Sequence, residues 1–117
     1  MAMPVDYGMC TQTVTVYRKT PEGIVRIQIS GCFLQWQDEI GFEQTGVRKE
    51  RKFLLIQPGT EQMVFPGDRV MEGIGPEISV ADWETFLPVR VNGLGEITYA
   101  TAYHWEGSFC HTEAGRK

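Results

Sequence analysis

Short runs of alternating apolar and polar residues, separated by turn signals, recur along this chain. Residues 13–17 and 24–30 both alternate in this way. A period of two is typical of half-buried strands. Between the two runs, residues 20–23 read Thr-Pro-Glu-Gly, with proline and glycine at the second and fourth positions of a β-turn. We therefore predict a β-hairpin over residues 13–30.

Further extended segments follow this hairpin. Gly31 permits a bulge, after which the alternation resumes over residues 32–36. Residues 53–56 are continuously apolar and predict a strand buried on both faces. Residues 66–76 begin with Pro-Gly and end with Gly-Pro, which predicts a turn, a short strand and a second turn. Residues 63–65 and 68–71 predict another short hairpin.

One segment, residues 79–87, predicts a helix, with Ser79 as N-cap, Asp82 in the first turn and Pro88 ending it. The remaining apolar runs predict closing strands at residues 89–92, 96–105 and 108–112. The pattern predicts an all-β fold, a small β-barrel or sandwich with long loops and at most one short helix. We expect one domain over residues 1–117, with residues 1–12 and 112–117 as extended tails.

Bulk properties narrow the function classes. The 117 residues carry a net charge of −4, which argues against a free nucleic-acid-binding module with a basic face. The three cysteines, Cys10, Cys32 and Cys110, favour free thiols in a reducing cytosol over a disulfide framework. The first residues lack the charged and apolar regions of a signal peptide, and no apolar run reaches membrane-spanning length. We expect a soluble protein that is intracellular when made.

Candidate chemistry is sparse. His104, Cys110 and His111 lie close in sequence but lack the short paired spacing of a zinc site, and on an alternating strand Cys110 and His111 point to opposite faces. A strand-end histidine at the surface is the expected explanation. Cys110, His104 and Glu106 are a conceivable nucleophilic triple, but any small protein with two histidines offers one. We expect no metal, no cofactor and no enzymatic activity.

Two segments and one aromatic residue are the interface candidates. Residues 37–46 form a polar loop that either folds its two apolar residues back onto the core or becomes ordered against a partner. The basic run at residues 48–52 is either a charge-protected edge or an oligomer contact with the acidic loop of a neighbouring copy. Trp105 is expected to be partly exposed, as is common at interfaces. The candidates are Gln37, Asp38, Glu39, Ile40, Phe42, Glu43, Arg48, Lys49, Arg51, Lys52 and Trp105.

The order of several short motifs resembles a known family. These motifs are the strand at residues 13–17, Gly-Cys-Phe-Leu-Gln-Trp at 31–36, the loop to Gly46, the strand at 51–56, Pro-Gly-Asp-Arg-Val at 66–70 with Gly73, and Tyr-His-Trp-Glu at 103–106. Together they resemble the small head–tail connector proteins of long-tailed phages and prophages of Gram-positive hosts, known as minor capsid, head-closure or stopper proteins.

The resemblance implies a small β-barrel with long loops that forms a homo-oligomeric ring between the portal or adaptor and the tail. Residues 37–46 would then plug the DNA channel or clasp a neighbouring subunit. The acidic balance suits a channel through which DNA slides without specific binding. The implied location is the virion neck, after synthesis in the bacterial cytoplasm. A tail terminator or tail tube-side protein, and an intracellular small β-barrel that binds a ligand or peptide, are the alternatives.

Overall fold

A computed structural model describes residues 7–37 and 51–116. Seven strands make up the fold: β1 Gln12–Thr20, β2 Gly23–Gln37, β3 Lys52–Pro58, β4 Arg69–Glu72, β5 Leu94–Glu96, β6 Tyr99–Trp105 and β7 Ser108–Arg116. They form one antiparallel sheet in the order β5-β4-β1-β2-β3-β7-β6, and the sheet curls into a half-barrel. The predicted all-β class is therefore confirmed.

The two edge strands of this sheet are neighbours in sequence. Only Ile97 and Thr98 separate β5, at one edge, from β6, at the other. The Thr98 N–H donates to the Gly115 carbonyl in β7 at 2.7 Å, and the Ile97 N–H donates to the Asp68 carbonyl at 2.8 Å. The curled sheet is thus drawn together at the point where the chain crosses from one edge to the other.

An apolar cluster fills the concave side of the half-barrel. It contains Val14, Val16, Ile29, Cys32, Leu34, Phe53, Leu55, Val64, Val70, Ile97 and Ala114. Val64 comes from the connection between β3 and β4 and is fully buried. A second cluster of Tyr17, Phe86 and Leu94 fixes the segment between β4 and β5 to the sheet.

The predicted hairpin and bulge are both present. β1 and β2 pair through Thr20 and Gly23, so residues 21 and 22 form the turn. The register between the strands shifts near Gly31, which has a φ of +70°. This left-handed backbone favours glycine, and the bulge lets β2 continue as one strand of 15 residues.

The predicted helix is reduced to a 3₁₀ turn at Val80–Asp82. Ser79 precedes it as the expected N-cap, and its N–H and hydroxyl both donate to the Asp82 carboxylate at 3.0 Å. Within residues 7–37 and 51–116 there is no other helix. No described helix is long and apolar enough to cross a membrane.

Several strand predictions were wrong. Residues 63–65 do not pair with β4, whose partners are β1 and β5; the buried Gln57 side chain instead accepts from the Met63 N–H at 2.9 Å. Residues 89–92 form turns, and residues 96–105 are split between β5 and β6.

The apolar run at residues 53–56 and the predicted C-terminal tail also differ from expectation. Residues 53–56 alternate between buried and half-buried positions, so β3 is fully buried on one face only. Residues 112–116 are no tail: they complete β7 and pair with both β3 and β6.

Candidate interaction surface

The described residues of the predicted loop and basic run, Gln37, Arg51 and Lys52, lie at one end of the sheet. Gln37, the last residue of β2, pairs with Lys52, the first residue of β3, and both are exposed. The Arg51 guanidinium lies 5.0 Å from the centre of the Trp36 ring. The other candidates of this region, Asp38, Glu39, Ile40, Phe42, Glu43, Arg48 and Lys49, lie outside the described residues.

A groove of about 350 Å³ opens at this end of the sheet. We call it the loop-end groove; its lining residues are Gln37, Lys52, Phe53, Leu54, Tyr99 and Arg116. The Arg116 guanidinium lies 3.9 Å from the Glu96 carboxylate. The groove is thus lined by apolar residues and by two cations, Lys52 and Arg116, with the Glu96 carboxylate close to Arg116.

The opposite end of β7 carries an exposed aromatic hairpin tip, residues 103–109. Tyr103 is 44% exposed and Trp105 is 39% exposed, which confirms the expectation for Trp105. The turn consists of Glu106 and Gly107, with φ values of +50° and +81°. Two successive positive φ values are the signature of a type I′ turn, the tight connection that matches the twist of paired strands.

β6 is an edge strand without the usual protection. It is the last strand of the described sheet, and its sequence Tyr-Ala-Thr-Ala-Tyr-His-Trp contains no proline and no Asp, Glu, Lys or Arg. Edge strands that must not pair with another chain are commonly very short or carry charged side chains. The edge strand β5 is of that kind, with three residues including Glu96. The β6 side of the sheet is therefore the side suited to contact with another protein.

His111 is buried and not at the surface as predicted. It is 4% exposed, lies between the rings of Tyr7 and Tyr103, and its Nδ1 is 2.6 Å from the Tyr7 hydroxyl. Its Nε2 is 3.3 Å from the Glu113 carboxylate, which can only accept. In the neutral imidazole, Nε2 therefore carries the proton and Tyr7 donates to Nδ1. Burial raises the pKa of Tyr7, with smaller contributions from Cys110, Cys10 and Glu113.

A bulge in β7 explains why the sequence analysis misplaced His111. The β6–β7 register shifts by one residue between Tyr103 and His104, which leaves Cys110 as the extra residue of β7. Cys110, His111 and Thr112 are consequently buried in succession, so strict alternation does not hold here. His104 is exposed at the tip, and its ring centre lies 5.8 Å from that of Phe109. The Cys110 thiol lies 3.7 Å from the Ser108 carbonyl oxygen.

A second groove, of about 380 Å³, lies where β1 ends. The buried Asp68 carboxylate accepts from Arg18 Nε and Nη2 at 2.9 and 2.7 Å and from the Phe65 N–H at 2.9 Å. The Arg18 guanidinium also lies 4.7 Å from the Phe65 ring centre. This bidentate pair holds the turn before β4 against β1.

The three cysteines are free thiols, and Cys32 and Cys110 are buried. Burial, reinforced by the nearby Cys10, raises the pKa of Cys32 to about 12. Among the described residues, no group of three or more His, Cys, Asp or Glu side chains is arranged to hold a metal ion.

No protein-family model, curated protein or solved structure matches this chain. The basic loop-end groove and the aromatic hairpin tip are both suited to binding protein surfaces.

Proposed function

We propose that this chain is a structural, non-enzymatic virion protein that forms a homo-oligomeric ring in the head–tail connector of a phage. It closes the head, joins the portal or adaptor ring to the tail, and gates the DNA channel. DNA passes through the channel without specific binding. The protein is made in the cytoplasm of the bacterial host and resides in the virion neck.

The observation that carries this proposal is the length of the β2–β3 connection. Gln37 and Lys52 are already paired, so two residues could join them, yet residues 38–51 intervene. Hairpin connections usually contain two to five residues, and much longer ones are usually functional. The chain has a second long connection, residues 73–93 between β4 and β5, whose Phe86 packs on Tyr17 of the sheet. The connection between β2 and β3 is the one that supports a ring subunit whose loop reaches a neighbour or the channel.

Two alternatives remain distinct from this proposal. A tail terminator or tail tube-side protein would use the same kind of subunit, and gene order separates it from a head-closure protein. An intracellular small β-barrel that binds a ligand or peptide would need a cavity. The interior is filled by the apolar cluster around Val16, Leu55 and Ile97, so among the described residues such a ligand would use one of the two grooves, at Arg18 or at the loop end.

The test replaces residues 38–51 by Asn-Gly, which closes a two-residue type I′ turn between Gln37 and Lys52. A matched control places Asn-Gly at residues 21–22, in the β1–β2 turn. Electron microscopy of the purified proteins measures ring formation, and near-ultraviolet circular dichroism measures the packing of the aromatic core.

We expect rings from the wild-type protein and from the control. The shortened protein should keep its fold but either fail to form rings, if the connection clasps a neighbour, or form rings with a wider channel, if the connection closes it. Identical rings from the shortened protein would contradict the role of the connection. A wild-type protein that forms no ring at any concentration would contradict the proposal as a whole.

A further inference from the structure

The two ends of β7 carry side chains of opposite charge. The loop-end groove has Lys52 and Arg116 in its wall and an apolar lining from Phe53, Leu54 and Tyr99. Within residues 99–110 the one Asp, Glu, Lys or Arg is Glu106, which follows the exposed Trp105. One end therefore presents an indole ring and a carboxylate, and the other presents a partly apolar groove with two cations, of which Arg116 lies 3.9 Å from Glu96.

The two ends cannot meet within one molecule. Ser108 pairs with Trp105 at one end of β7, and Arg116 pairs with Phe53 at the other. β7 has nine residues, and at about 3.4 Å per residue its ends are separated by roughly 27 Å of rigid paired strand. A contact between tip and groove must therefore join two copies of the chain.

Glu106 occupies its position against its own backbone preference. It is the one described non-glycine residue with a positive φ, at +50°. Asn, Asp and Gly are the residues that favour the first position of a type I′ turn, and a long side chain there is disfavoured. A disfavoured residue at an exposed turn points to a requirement outside the local fold. A glutamate side chain is longer than that of asparagine or aspartate, so its carboxylate can reach a partner beyond the turn.

We propose that the hairpin tip of one copy inserts into the loop-end groove of the next. Trp105 covers the apolar surface formed by Leu54 and Tyr99, and the Glu106 carboxylate pairs with Lys52 and Arg116. The contact uses two different surfaces of the subunit, so it propagates head to tail and closes into a ring when the rotation between copies permits. The inference rests on the proposed function in one respect, namely that the protein assembles with copies of itself.

The first experiment compares self-association of four proteins by sedimentation velocity over a range of concentrations. Glu106→Asn removes the carboxylate while supplying a favoured turn residue, and Lys52→Glu reverses the charge of the groove. Glu22→Asn, in the exposed β1–β2 turn, is the matched control. We expect self-association at least about tenfold weaker for Glu106→Asn and Lys52→Glu, and unchanged for Glu22→Asn. Thermal unfolding at low concentration should show that Glu106→Asn is at least as stable as wild type.

The second experiment uses the direction of the contact. Glu106→Lys combined with Lys52→Glu in one chain should restore association to within a few fold of wild type.

A mixture of Trp105→Ala and Lys52→Glu proteins retains one intact tip and one intact groove. Because the contact is head to tail, this mixture should form one-to-one dimers and nothing larger.

The outcomes separate the two claims. If the wild-type protein associates and Glu106→Asn and Lys52→Glu leave this association unchanged, the proposed contact is wrong and the ring proposal stands. The same holds if the double variant Glu106→Lys with Lys52→Glu fails to restore association. A wild-type protein that does not associate overturns both.

Discussion

Side chains of β1 and β2 hold the backbone at Gly75 and Pro76, which follows β4. The Thr15 hydroxyl accepts from the Gly75 N–H at 2.9 Å, and the Tyr17 hydroxyl donates to the Pro76 carbonyl at 2.7 Å. The Arg26 guanidinium donates to the Gly75 carbonyl. This close approach leaves no room for a side chain at Gly75, since a Cβ there would lie 2.1 Å from the Tyr17 hydroxyl oxygen.

Gly75→Ala should therefore lower the free energy of unfolding by about 1–3 kcal/mol through overpacking. Tyr17→Phe removes the hydroxyl and should cost about 1 kcal/mol for the lost hydrogen bond. In the Tyr17→Phe background the cost of Gly75→Ala should be smaller, because the nearest atom has gone. Urea unfolding of the four proteins measures this coupling, and purely additive costs would contradict the described packing.

The Cys32 thiol should make the fold sensitive to alkaline pH. Its pKa is raised from 9.0 to about 12 by burial. Above pH 9 the unfolded chain loses this proton while the folded chain keeps it, so the free energy of unfolding falls as pH rises towards 12. Below pH 9 the thiol is protonated in both states and contributes no pH dependence.

Cys32→Val should reduce this alkaline slope by up to about 1.4 kcal/mol per pH unit, the contribution of one proton. Burial also raises the pKa values of Tyr7 and Tyr17. Both tyrosines remain in the two proteins, so their contributions to the pH dependence cancel in the comparison. Urea unfolding from pH 6 to 11 gives the two curves. Curves that stay parallel above pH 9 would show that Cys32 is solvated in the folded protein.

At the scale of elements, one arginine fixes the irregular segment between β4 and β5. Arg69 is buried, its guanidinium donates to the carbonyls of Trp83 and Phe86, and it lies 3.7 Å from the Trp83 ring centre. The segment has little regular structure beyond its 3₁₀ turn, so these contacts and the packing of Phe86 on Tyr17 hold it in place.

Arg69→Met keeps the apolar contact with Trp83 but removes both hydrogen bonds, and we expect a loss of about 2–4 kcal/mol. Amide hydrogen exchange should accelerate at Phe86 and Val91, whose N–H groups bond within this segment, and less in β2 and β3. Arg90→Met, at an exposed position, is the control. Equal acceleration throughout the sheet would show that the segment is not held separately.

The elements predicted correctly are those set by local chemistry. The Thr-Pro-Glu-Gly turn, Gly31 and the Pro-Gly and Gly-Pro pairs around β4 each restrict the backbone wherever they occur. The failures depend on distant contacts. Residues 63–65 look like a strand, but Val64 is buried without strand pairing because the Gln57 side chain bonds to this connection. The burial of His111 depends on Tyr7, which is 104 residues away.

The candidate site was predictable only in part. Exposure of Trp105 followed from its position in a turn region, whereas the pairing of Gln37 with Lys52 was not predicted, because Gln37 was assigned to the polar loop and Lys52 to the basic run. The loop-end groove was not predictable, because Arg116 comes from the segment assigned to a tail and meets β3 only through sheet pairing. The positive φ of Glu106 is a property of the folded turn, because glutamate is not among the residues that indicate type I′ geometry from sequence.

At the scale of the whole molecule, the half-barrel has different surfaces at its two ends. The loop-end groove, with Gln37 and Lys52 in its lining, lies at one end of β7, and the aromatic tip lies at the other. A subunit with unlike, complementary ends is suited to head-to-tail assembly, which is the symmetry of a ring. The unprotected edge of β6 adds a third surface that another protein chain could cover.

The most direct test of the proposed role is to determine the genes on either side of the one that encodes this chain. Genes for a portal protein, a major capsid protein and a tail tube protein are the predicted neighbours, because structural genes of a phage particle are transcribed together. Their order would also separate a head-closure protein from a tail-side protein. Neighbouring genes for metabolism or regulation, with no virion gene among them, would contradict the role in the head–tail connector.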